Sequence, residues 1–153
     1  MPSQCKVEVQ DVLPRPVAVM RVTTHLSTWP QEFGGPLGRV YAALKAAEVK
    51  HPGLNVMVYR PRRDGRVDIE CGVCVAAKFD CLGEVVSSET PGGVAATFAH
   101  IGPYSQLKAG HDAIVDWARS HGRTLSGTCW EVYGHWNDDP AKLRTDLYHL
   151  LLG

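Results

Sequence analysis

"VEVQDVLPRPVAVMRV", residues 7–22, is a β-rich run, a proline turn and a second run of small apolar residues, and the same pattern returns as "EVVSSETPGGVAATFA" at residues 84–99. At one common offset Pro14 falls on Pro91, Val17 on Val94 and Ala18 on Ala95, and that offset is about half the chain. A repeat of this period decides the architecture before any single element does. Each copy reads as a strand–turn–strand hairpin.

The segments C-terminal to the two copies also match. In the first half, "PQEFGGPLGRVYAALKAAEVK" places Phe33, Leu37, Val40, Tyr41, Leu44 and Ala47 on one helical stripe, closed by "HPG". In the second, "YSQLKAGHDAIVDWARSHG" places Leu107, Ile114, Trp117 and Ala118 on a similar stripe, with Ser105 as a candidate cap and Gly122 as the stop. Two further strands close each half: "LNVMVYRP" and "RVDIECGVCV", then "TCWEVYGHW" and "KLRTDLYHLLL", joined by the turns "RRDG" and "NDDP". Each half is strand, strand, helix, strand, strand, with the halves at about residues 5–76 and 83–152 of one domain covering 1–153. One such unit leaves a sheet face and an edge uncovered, so the expectation is an α+β fold in which two units pair across a pseudo-twofold.

Composition bounds the function. The 153 residues are 44% apolar and carry 16 Lys and Arg against 16 Asp and Glu, enough for one globular domain with a core and no net charge. No basic block or basic amphipathic helix offers a surface for nucleic acid or an anionic membrane, so the expected partner is small or neutral. The start "MPSQCKVEVQ" lacks a signal-peptide layout, and no apolar run approaches the roughly 18 residues of a bilayer span. A cytoplasmic protein is expected. The five cysteines, Cys5, Cys71, Cys74, Cys81 and Cys129, are an odd number without the spacing of a secreted disulfide framework. "CGVC" at 71–74 lies in an alternating strand pattern, where residues three apart point to opposite faces, so its thiols read as buried strand residues rather than a redox pair. Cys81 with a stray histidine does not make a zinc site, and no phosphate loop or nucleophile–base pair is visible. Neither a metal nor a cofactor is expected.

The pieces "ATFAHIGPYSQL", "WEVY" followed by "NDDP", and "TDLY" near the end resemble the GyrI-like effector-binding domain, which also forms the drug-binding part of multidrug-responsive transcription regulators. The resemblance covers nearly the whole chain, duplication included. It implies tandem β-α-β-β (SHS2-type) modules, an antiparallel sheet with two main helices, and a central cleft between the halves in which hydrophobic, often cationic, compounds bind near a glutamate. Glu131 of "EVY" matches that glutamate. Some stand-alone members are hydrolases that open the cyclopropane ring of DNA-alkylating natural products. The chain departs from the pattern where "GHW" separates "EVY" from "NDDP", and where the strands "LYHLLLG" and "CGVCV" lack a proline the family usually carries near the end. Both helices are used by the repeat, so no direct nucleic-acid contact is expected.

Glu131 poses the physical question, because "TCWEVYGHW" sets an acid among Trp130, Tyr133 and Trp136 in a strand pattern. Alternation puts Cys129, Glu131 and Tyr133 on one face and Trp130 and Val132 on the other. Trp130 and Val132 suit the core under the helices, which leaves Glu131 and Tyr133 for the cleft. A carboxylate persists there only with water, a donor or a cation. By the repeat, Met57 and Tyr59 of "VMVYR" fall on Glu131 and Tyr133 as the opposite wall. Such a slot suits a planar hydrophobic ligand, and a cationic group on it gains from the carboxylate and the rings. Tyr104 of "GPY" and His100 lie near the same strand end. Trp136 is either a lid or an exposed turn aromatic. Phe33 and Tyr41 fall on a core stripe, with a cleft-facing Phe33 the alternative. Two functions remain: a small-molecule-binding or sensor module, monomeric or homodimeric, or a hydrolase in which Glu131 is the general base and Tyr133 or Tyr104 the proton donor.

Overall fold

The computed structural model describes residues 6–152, so Cys5 lies outside it. In chain order the elements are β1 (Glu8–Val12), β2 (Pro16–Thr24), α1 (Trp29–Glu32), α2 (Gly34–Ala46), β3 (Asn55–Pro61), β4 (Val67–Cys74), β5 (Val86–Glu89), β6 (Gly93–Ile101), α3 (Leu107–Ser120), β7 (Leu125–Tyr133) and β8 (Arg144–Leu151). This is the duplicated α+β order that the repeat implies, with antiparallel strands and one main helix in each half.

The strands do not pair as the repeat suggests. Among the described residues no register joins β1 to β2: β1 pairs with β6, Glu8 opposite Thr97 through Val12 opposite Gly93. Likewise β5 pairs with β2, Pro16 opposite Glu89 through Val19 opposite Val86. The proline segments therefore connect strands that do not pair with each other and are not hairpin turns. One compact unit comprises residues up to Leu13 together with Pro91 onward, and the other is Pro14–Thr90. The strand order is β1-β6-β8-β7 in the first and β3-β4-β2-β5 in the second.

Each unit has its own core. In Pro14–Thr90, Val40 and Leu44 of α2 pack on Ala18 and Met20 of β2 and Val73 of β4. In the other unit, Ile114 of α3 packs on Ala96 of β6 and on Leu147 and Leu151 of β8, with Leu107 and Trp117 beside it. β8 alternates burial along its length, Thr145, Leu147, His149 and Leu151 inward, as a strand with one covered face does. Two expected stripe residues differ: Phe33, at the junction of α1 and α2, is 38% exposed and Tyr41 is 39% exposed, so neither belongs to the core. Tyr41 spends its hydroxyl on the Asn55 side chain instead.

The turn chemistry agrees with the sequence at most joints. In "RRDG" Asp64 accepts from the Arg66 amide and from Arg62, which holds its carboxyl far below the usual range, and Gly65 takes φ +87°. In "NDDP" Asn137 accepts from the Asp139 amide and Asp139 from that of Ala141, launching a 3-10 turn at Pro140–Lys142. Gly122, at φ +65°, ends α3 in the left-handed conformation that glycine tolerates. Ser105 does not cap α3. It lies in a 3-10 turn, Tyr104–Gln106, that precedes the helix, and Gln106 takes the cap position without a side-chain bond.

Candidate functional site

Glu131 lies on the helix side of its sheet. Its partner across to β8 is Leu147, which packs under Ile114 of α3, and cross-strand partners share a face. Cys129 opposite His149 and Tyr133 opposite Thr145 continue that face. Trp130 and Val132 take the reverse side, where Trp130 stacks on Tyr148 at 5.0 Å and 4°. The expected assignment is thus inverted. α3 covers β6 and β8 of this unit, so the β7 side chains flank the helix and face the way it lies.

The carboxylate is 6% exposed and engaged at both oxygens. Tyr133 donates its hydroxyl to Oε1 at 2.5 Å, and His111 Nε2 reaches Oε2 at 2.7 Å. A carboxylate only accepts, which puts a proton on Nε2. The other ring nitrogen, Nδ1, lies 2.8 Å from His149 Nε2, and the two imidazoles meet at 64°. His149 is held neutral: burial first, then the neighbouring His111, pushes it down to about 4 against the opposing pull of Glu131. Cys129 shares the cluster, its thiol pushed up to about 12 by burial and by the Glu131 charge. His111, Cys129 and His149 bring one donor atom each within 4.8 Å of one another. The helix comes this close because Gly110 precedes His111, and a Cβ there would stand 2.6 Å from Leu147 Cδ1.

The remaining sequence candidates are distributed. Tyr104, 37% exposed, sets its ring edge-on to Tyr133 at 5.5 Å and 84°. Thr145 and His100 are cross-strand partners beside Tyr133, both buried. His100 Nε2 meets the Pro103 carbonyl at 3.1 Å and so ties down the "GPY" turn. The Thr145 hydroxyl has no hydrogen-bond partner among the described residues. Trp136 stands 71% exposed with its indole NH on Asp138. Met57 and Tyr59 lie on β3 in the other unit, where Met57 Sδ receives the Trp29 indole NH and the Tyr59 hydroxyl, each at 3.4 Å. Phe33 sits 6.3 Å from Trp29 in that unit. Cys71 is fully buried, with its thiol raised to about 12, and Cys74 is raised as well, so neither presents the thiolate a redox pair needs.

Residues 6–151 match the model of the GyrI-like small molecule binding domain. The chain belongs to that family. Among solved structures, the GyrI-like fold here is similar to the EcmrR C-terminal domain, at 19% identity and TM-score 0.74 over 97% of this chain and 98% of that one. It is similar to SAV2435 bound to tetraphenylphosphonium, at 13% identity and TM-score 0.71 over 97% and 94%. A hydrolase from Listeria innocua shares the fold at 10% identity and TM-score 0.63 over 96% and 92%. No curated protein gives a significant match.

Within the GyrI-like domain, alternation along the strand had already put Cys129 on the face of Glu131, but sequence reading missed His111 and His149 as their neighbours. His111 had a legible signal. It stands four after Leu107, three before Ile114 and seven before Ala118, so it fills the vacant place in the apolar stripe of α3. A polar residue in such a stripe needs a buried partner. Glu70 on β4, also a buried acid, is neutralised differently, by Arg21 at 3.0 Å, Arg60 at 3.2 Å and the Ser88 hydroxyl at 2.8 Å. No described helix is long and apolar enough to cross a membrane.

Proposed function

We propose that the chain binds small hydrophobic organic cations against the helix-side face that carries Glu131. The observation that supports this reading is a buried carboxylate held by a phenol and an imidazole. Tyr133 and His111 supply these hydrogen bonds, and Tyr104 meets Tyr133 edge-on. Where Glu70 is met by two guanidinium groups, Glu131 is met by a phenol and an imidazole, a polar setting beside aromatic rings that suits an organic cation. The rings add apolar area and cation–π attraction, worth about 0.5–2 kcal/mol per contact. SAV2435, which shares this fold, holds tetraphenylphosphonium, a ligand of this chemistry. His100 and Trp136, which lie in the same unit as Glu131, stay with the reading as secondary contacts, and the ligand is hydrophobic.

Titration with tetraphenylphosphonium, followed by tryptophan fluorescence and calorimetry, tests this directly. Glu131→Gln keeps the shape and removes the charge, and it is expected to raise Kd at least tenfold, with Tyr133→Phe giving a smaller loss. Equal affinity in wild type and Glu131→Gln would sink the reading.

A second reading rests on the His111 contact. With His111 fixing its orientation, Glu131 is an aligned carboxylate in a buried site, the arrangement of a general base. Such a base takes a proton from water as the water oxygen bonds a carbon of a strained cyclopropane; the ring C–C bond breaks toward the conjugated carbonyl, whose oxygen Tyr133 or Tyr104 protonates. The hydrolase reading predicts ring-opened product, seen by mass, from a cyclopropane-bearing alkylator with wild type and none with Glu131→Gln. Binding without turnover in wild type selects the module.

A further inference from the structure

We propose that His111, Cys129 and His149 form a binding site for a borderline-soft divalent metal ion, of which Zn2+ is the type, with Glu131 as the outer carboxylate that orients His111. Three separate elements deliver the donors: α3 brings His111, β7 brings Cys129, and β8 brings His149. The last two are direct partners in the β7–β8 register, so their side chains leave the sheet on the same face, and the helix lays His111 over them. One atom from each lies within 4.8 Å of the others. Imidazole nitrogen with a cysteine sulfur is the donor set that suits zinc and excludes magnesium or calcium, which take oxygen.

The hydrogen-bond pattern adds direction to proximity. Glu131 Oε2 fixes the His111 proton on Nε2, so the lone pair of a neutral His111 is on Nδ1, the atom turned toward His149. Metal-ligating histidines commonly donate one ring NH to a carboxylate in this way and offer the other nitrogen to the ion. In the metal-free state His149 Nε2 donates to that lone pair at 2.8 Å. Two nitrogens on one tetrahedral zinc stand roughly 3.3 Å apart, given bonds of about 2.0–2.1 Å, so the rings open by about half an ångström to admit it. On binding, His149 shifts its proton from Nε2 to its own Nδ1, the Cys129 thiol loses its proton to solvent, and the sulfur, His111 Nδ1 and His149 Nε2 bond the ion. Three protein donors leave one tetrahedral position for water or a further ligand.

The test uses the full chain, stripped with EDTA, in a Cys5→Ser, Cys81→Ser background, titrated with Co2+ and then with competing Zn2+. One equivalent of Co2+ is expected to give the intense visible bands of a tetrahedral ion and a thiolate-to-cobalt charge-transfer band, both abolished by Zn2+. Cys129→Ser is expected to remove the charge-transfer band, and His149→Gln to keep it, and each to weaken Zn2+ binding at least tenfold. A pale octahedral spectrum without charge transfer in the parent protein overturns the site, whether or not the variants fold. Zn2+ affinity within twofold of the parent in folded Cys129→Ser, checked by circular dichroism, overturns it as well. Tetraphenylphosphonium is absent from this titration, so its outcome is independent of the organic-cation reading.

Discussion

The buried Cys71 thiol and the half-buried Cys129 thiol are both pushed up to about 12, whereas Cys81 is exposed. Iodoacetamide at pH 8 is expected to label Cys81 in the native protein and the other two only after denaturation, as peptide mass mapping would show. Labelling of native Cys71 at a rate near that of Cys81 would contradict the burial. The Cys71 shift also fixes a sign. Its folded value is raised above the unfolded 9.0, so the unfolded state binds fewer protons between about pH 9 and 12. Stability is lost as pH rises through that window, by about 1.4 kcal/mol per pH unit at most, and Cys71→Ala flattens the slope in urea melts. The Thr145 hydroxyl is fully buried without a partner among the described residues, so Thr145→Val, an isosteric exchange, is expected to raise the melting midpoint, or leave it unchanged, rather than lower it. At this scale Glu131 was legible, because an acid in a strand of aromatics demands an explanation. Its neighbour His149 was not, since alternation along β8 marks it as inward without saying what it meets.

Elements were legible wherever chemistry is local. Asp64 and Gly65 dictate one turn and Asn137 with Asp139 the other, so the hairpins they close could be placed from the chain alone. The faces of β7 could not. Trp130 is the larger apolar residue and looks like the core choice, yet the helix side is chosen by register with β8, where Leu147 opposes Glu131. Gly72 shows what a strand pair can demand of sequence. Within "CGVC" a Cβ at this position would stand 1.8 Å from the Ala18 carbonyl oxygen, so β2 and β4 meet there backbone to backbone. Gly72→Ala must part the two strands and is expected to cost about 3 kcal/mol, read as a lower urea midpoint with the same slope. The strand pair depends on the glycine of that motif more than on its cysteines. Gly110 plays the milder role on α3, since the atom it would meet is the end of a leucine side chain.

For the molecule as a whole, the repeat boundary and the structural boundary differ. The sequence repeats at about residues 5–76 and 83–152, but Pro14–Thr90 is the segment that holds four mutually paired strands. The duplication was visible because Pro14 and Pro91 punctuate both copies. The exchange of first strands was not, because β1 and β5 have equivalent patterns and either could pair locally. A fragment cut as 14–90 is expected to resist proteolysis better than one cut as 5–76, which keeps β1 without β6 and loses β5. Equal protease resistance of the two fragments would argue against the exchanged pairing.

That exchange bears on synthesis. Residues 8–12 leave the ribosome well before their partners at 93–97, which emerge 81–89 positions later by the register Val12–Gly93 and Glu8–Thr97. At about 5–20 residues per second the leading strand waits roughly 4–18 s with its backbone amides unclaimed, while the segment behind it already has every partner it needs. Glu8 and Asp11 within that waiting strand, both charged, keep it in water and away from other nascent chains until its berth exists.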